Sequence, residues 1–119
     1  MSRKQAREEA FKQIYALGFE IQQLLDNGCV DEFTQILVTA TKSNLSHIDS
    51  LIAEKSHGFA FDRIFKVDLA ILRMGIAEIL YTETPAPVAI GAAVDLVKKY
   101  STAKSAAFVN GVLAGIAKP

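Results

Sequence analysis

Arg7, Phe11, Lys4 and Tyr15 fall on one strip of a helix projected at about 100° per residue, and Arg3 and Arg7 are i, i+4 neighbours. Guanidinium groups grip phosphate oxygens through paired hydrogen bonds, and aromatic rings stack on unpaired bases. Cations interleaved with rings at this spacing therefore suit single-stranded RNA. A plainer reading stays open: Phe11 and Tyr15 widen the apolar stripe of Ala6, Ala10 and Ile14.

Nothing in the chain reads as catalytic. It has no Gly-rich phosphate loop, GxSxG, HExxH or CxxC. His47 and His57 stand ten apart with no partner at ligand spacing. The single cysteine, Cys29, cannot form an intramolecular disulfide, reads as a small apolar residue and fits a cytoplasmic protein. Arg73 and Glu78 lie in an otherwise apolar helix, where buried charge needs a partner, so a structural ion pair is expected. The expectation is a non-enzyme with no catalytic residue, no metal site and no cofactor.

The 119 residues are half hydrophobic, enough for one domain over 1–119, and no run suggests a membrane span. Net charge is zero but segregated: residues 1–12 carry +2, residues 95–119 carry +3, and the middle carries −5. Solvated helix surface explains that pattern as well as a basic face does.

These residues need helices to position them. Ala6, Ala10, Ile14, Leu17 and Ile21 recur at helical spacing, and Asp26-Asn27-Gly28 breaks the run. Asp31 is an N-cap for a stripe through Phe33, Ile36, Leu37, Ala40, Leu45, Ile48, Leu51 and Ile52, with a break near Thr39 to Ser46 and an end by Gly58. "FAFDRIF" reads as a short turn of helix. "VDLAILRMGIAEILY" is the clearest helix; Pro85 and Pro87 stop it and open the next, whose small residues invite close packing. Phe108, Val109, Val112, Leu113 and Ile116 define a last helix. It runs through Asn110-Gly111, a pair that elsewhere signals a hairpin and whose glycine costs a helix roughly 1 kcal/mol. The fold class is all-α: about six to seven helices in two packed sub-bundles joined near Ser56 to Phe59.

Three segments together resemble the NusB family of bacterial transcription antitermination factors. Ala6-Arg7-Glu8, Ala10 and Ile14-Tyr15 are similar to the family's arginine-rich first helix. "AILRMGIAEIL" is similar to A-(V/I)-L-R-x-A-x-x-E-L. "PAPVAIGAAVDLVKKYSTAKSAAFVNGVL" is similar to P-x-x-V-A-I-N-E-A followed by F-V-N-G-V-L. The resemblance implies two perpendicular helical halves and a role in binding. Family members bind boxA, a short single-stranded element of nascent ribosomal RNA leaders, together with a small-subunit ribosomal protein called NusE. The complex joins NusA, NusG and RNA polymerase. Some members form homodimers that hide the RNA surface.

By resemblance, RNA contacts fall on Arg3, Lys4, Arg7 and Tyr15, and on Lys104, Ser105, Phe108 and Asn110. Asp68, Arg73 and Glu78 fall on the helix that the family turns partly toward its protein partner. The two basic ends would make one face if the first and last helices lie together, and Arg7→Glu would then weaken RNA binding while leaving thermal unfolding nearly unchanged. The acidic middle would suit a basic ribosomal protein. Asn110-Gly111 is expected where a backbone or RNA comes close. The chain departs from the family at Gln5, at Gly91-Ala92 in place of N-E, at Lys104 where an acidic residue is frequent, and at Ala114-Gly115. Those departures bear on RNA affinity more than on fold. Two rival expectations are a helical partner of an RNA methyltransferase and an interaction module without RNA.

Overall fold

The computed structural model describes residues 2–17, 31–56 and 58–118. Ile21, the Asp26 to Gly28 break, Cys29 and His57 lie outside the described residues. Among those described there are six α-helices and no strand: α1 (Arg3–Leu17), α2 (Glu32–Ser43), α3 (Leu45–Lys55), α4 (Lys66–Tyr81), α5 (Ala86–Tyr100) and α6 (Ala103–Ala117).

Local chemistry starts each helix. Ser2 and Gln5 form a reciprocal capping box at α1: Gln5 N–H donates to Ser2 Oγ at 3.1 Å, and Ser2 N–H to Gln5 Oε1 at 2.9 Å. The Asp31 carboxylate accepts from Phe33 N–H at 3.0 Å and caps α2, as the sequence predicts. The expected break between α2 and α3 falls at Asn44, whose amide donates to the Ala40 carbonyl at 2.8 Å. Gly58 ends the α3 region with φ of 79°, a conformation that suits glycine. "FAFDRIF" holds one 3₁₀ turn, Phe61–Arg63. Pro85 and Pro87 open α5, and the Thr102 hydroxyl accepts from Ser105 N–H at 3.0 Å to cap α6.

α4 is the axis of the packing. It touches each of the other five helices, with α1 and α2 paired beside it and α5 and α6 paired beside it. One contiguous core includes Ala6, Ala10 and Ile14 of α1, Leu37 of α2, Ile52 of α3, Leu72 and Ile76 of α4, Val97 of α5 and Leu113 of α6. The close approach foreseen for α5 is found at Gly75 of α4. A Cβ there would lie 3.1 Å from Leu113 Cδ1 and 3.6 Å from Ala93 Cβ. Gly111 is different: among the described residues nothing outside its own helix lies within 4 Å of where its Cβ would be. The Asn110-Gly111 pair is helical, as expected.

Candidate nucleic-acid interface

The strip on α1 divides by depth. Arg3 and Lys4 are exposed, and neither has a carboxylate in ion-pair range among the described residues. The Arg3 guanidinium lies 3.8 Å from the centroid of the Phe33 ring of α2, a cation–π contact that leaves its outer edge free. Arg7 departs from the expectation for it. The residue is only 9% exposed, and its guanidinium closes on Glu78 of α4. Nε donates to the two carboxylate oxygens at 2.9 and 3.0 Å, and Nη2 donates to Oε2 at 2.7 Å. Removing one partner of such a pair costs about 3–5 kcal/mol, because the other charge is left buried alone. The buried pair instead predicts a marked loss of thermal stability for Arg7→Glu.

Of the three α4 residues expected to face a protein partner, Asp68 and Glu78 are buried and Arg73 is partly buried. Glu78 is 1% exposed and belongs to Arg7. Arg73 pairs through Nε and Nη2 with Asp49 of α3, both at 2.9 Å. Asp68 is 3% exposed, and its Oδ1 has no hydrogen-bond partner among the described residues. The sequence foresaw that Arg73 and Glu78 would be ion-paired; their partners come from other helices.

Phe11 and Tyr15 answer the question left open for them separately. Phe11 is core, against Tyr15 at 6.1 Å and Tyr100 of α5 at 5.1 Å between ring centroids. Tyr15 keeps 49% of its surface exposed. Beside them Lys99 of α5 donates to Glu8 of α1 at 2.8 Å, and its ammonium lies 5.3 Å from the Tyr100 ring centroid. The hydrogen bond from Lys99 holds the Glu8 carboxyl below its usual range, and Glu8 in turn raises Lys99. A groove of about 410 Å³ runs between α1 and α5, lined by Lys4, Val88, Gly91, Ala92 and Lys99 among others. The small residues at 91 and 92 leave this groove open.

On α6, Lys104 and Asn110 are exposed, Phe108 is partly buried and Ser105 is buried. The Phe108 ring packs on Phe59 with centroids 5.1 Å apart. Together with Ile64, Phe65, Asp68, Thr102, Lys104 and Ser105 they line a cavity of about 330 Å³. Phe65 is 63% exposed. This is a mostly apolar cleft with a cation at its edge and a buried carboxylate in its wall. Sequence reasoning missed Phe59, Phe65, Lys99 and Tyr100. Phe59 and Phe65 flank a segment read only as a turn, and nothing local joins Phe59 to Phe108.

The first and last helices do not pair. α1 packs on α2, α4 and α5, whereas α6 packs on α3, α4 and α5. The end of α5, which leads into α6, is tied to α1 by Lys99–Glu8 and Tyr100–Phe11. Among the described residues no group of three His, Cys, Asp or Glu side chains could hold a metal, and no helix is long and apolar enough to cross a membrane.

Among the described residues, five helices around a central one, with cations and partly exposed rings on α1, α5 and α6, define an all-helical protein. The family model for the NusB family matches residues 4–118. A transcription antitermination protein NusB from Natranaerobius thermophilus is 36% identical over 132 residues, covering 98% of this chain and 95% of the relative. The T. maritima NusB structure superposes with a TM-score of 0.85 at 30% identity, covering 99% of this chain and 92% of that one. A crystal structure of antitermination factors NusB and NusE in complex with dsRNA matches with a TM-score of 0.81 at 31% identity, covering 98% and 96%. The chain belongs to the NusB family.

Proposed function

We propose that this protein is a transcription antitermination factor that binds boxA-type RNA together with NusE and supports processive transcription of ribosomal RNA operons. The observation that carries this reading is the match over nearly the whole chain to a NusB solved with NusE and RNA. The geometry supports it: Arg3 and Lys4 are exposed without carboxylate partners among the described residues, Tyr15 is half-exposed for stacking on an unpaired base, and Phe108 is partly exposed in the α6 cleft. Lys104 and Ser105 line the α6 cleft, and Asn110 is exposed elsewhere on the same helix. Arg7 belongs to this set only through its pair with Glu78.

The protein acts as a binding module, one domain working in the cytoplasm on nascent RNA. NusA, NusG and RNA polymerase complete the assembly, and a homodimer is the form in which the RNA surface would be covered. A titration of fluorescent boxA-type single-stranded RNA, with and without NusE, tests the reading. Binding should tighten with NusE and weaken as salt rises. Equal binding to scrambled RNA, or no gain from NusE, would overturn it.

A further inference from the structure

We infer that Arg7 is a positioning residue: its ion pair with Glu78 sets α1 so that Arg3 and Lys4 meet RNA, and Arg7 itself touches no phosphate. The inference rests on the RNA-binding reading above. One edge of the Arg7 guanidinium is filled by the two Glu78 oxygens, and only 11% of the side chain reaches solvent. A phosphate taking that edge would strand Glu78, which is 1% exposed, without its counter-charge. The pair is also neutral as a unit, so it offers an approaching phosphate no net attraction.

What the pair does offer is register. Apolar burial between α1 and α4 is non-directional, whereas a carboxylate fitted into a guanidinium fork is directional. Arg7–Glu78 is the one polar side-chain link between α1 and α4 among the described residues. It joins α1 to the last turn of α4, and Arg3 and Lys4 lie one helical turn away on α1. A second tie holds the same segment to α2, where the Thr34 hydroxyl donates to the Ala6 carbonyl at 3.1 Å. Arg3 rests on Phe33 of that helix. The two ties fix where the free cations stand.

The test is a salt series of single-stranded boxA-type RNA binding in the presence of NusE. Arg3→Gln is the reference for a lost phosphate contact: its log–log salt slope should be shallower than the parent's by about 0.7. Arg7→Lys keeps the charge and loses the fork; its affinity should fall at least threefold with the parent's slope. Arg7→Gln with Glu78→Gln removes both charges while leaving a hydrogen-bonding pair, and should also keep the parent's slope. Parent-like affinity in Arg7→Lys, or a slope reduced as in Arg3→Gln for the double variant, overturns the inference. Thermal unfolding reads the pairing apart from RNA: the losses in Tm of Arg7→Gln and Glu78→Gln should exceed that of the double variant, and additive losses overturn it. A parent chain indifferent to boxA RNA overturns the function, and the unfolding result then stands by itself.

Discussion

At Glu8 a carboxylate on α1 meets Lys99 of α5 at 2.8 Å, with Lys12 of its own helix at 3.8 Å. The hydrogen bond from Lys99 lowers the Glu8 pKa, outweighing the desolvation that raises it. A depressed carboxylate stabilises the folded chain at pH values above its unfolded value of 4.5, and that contribution is lost as pH falls through the lower folded value. Lys99 behaves in the opposite sense. Its raised pKa contributes in full below the unfolded value of 10.5 and is lost as pH rises through the folded one. Lys99 is exposed and Glu8 only partly buried, so the effect is small and screened by salt. Glu8→Gln should lower Tm slightly at pH 7, and the gap from the parent should close as the pH is taken below 4.5; a gap that persists in acid would mean that the carboxylate charge is not the cause.

Two glycines in helices show how differently one residue type can act at the scale of an element. Gly75 of α4 faces Leu113 of α6 at 3.1 Å from where its Cβ would stand, and Leu113 is fully buried. A branched side chain there must push two packed helices apart. Gly75→Val should cost about 1–3 kcal/mol of stability, measured by urea unfolding. Gly111 of α6 faces open space in helical conformation. Gly111→Ala should stabilise the chain by about 0.4–1 kcal/mol in the same assay, since alanine restricts the unfolded chain and fits the native backbone. A destabilised Gly111→Ala would show that the helix needs its glycine for some reason other than space.

The sequence made the element types legible and left the neighbours hidden. Asp31, Pro85 and Pro87 marked helix starts because capping acts within a few residues. Periodicity likewise gave much of the buried face of the helices, although Ile36 of the α2 stripe is exposed. It could not say that Gly75, not Gly111, is the glycine under pressure, since both sit in helical runs. Nor could it give Glu78 its partner, which lies 71 residues away in the chain. The strip of Arg3, Lys4 and Arg7 was visible as a strip. That its third member turns inward depends on α4, which no local rule places. The family resemblance supplied the expected contact residues, and the fold shows which of them are exposed and which buried. For the cleft on α6, Lys104, Ser105 and Phe108 were legible through that resemblance; Phe59 was not, since its ring reaches Phe108 only after α4 turns the chain back.

For the whole molecule the decisive feature is that α4 touches all five other helices. The two basic ends therefore share a common support, and Lys99–Glu8 adds a direct tie between them. A chain divided at Gly58 tests this. The piece ending there should lack cooperative thermal unfolding when alone, and mixing it with the remainder should restore a helical circular-dichroism transition. Cooperative melting of the isolated first piece would show that α1–α3 make a core of their own.

That central placement also bears on how the chain is made. The ribosome delivers α1, α2 and α3 before the helix that covers them, and the intervening stretch takes on the order of a few seconds at ~5–20 residues per second. During that interval Ala10, Ile14, Leu37 and Ile52 lack the α4 surface that buries them in the finished protein. The nascent chain is thus most open to chaperone capture or to sticking to its neighbours just before Tyr81 clears the exit tunnel.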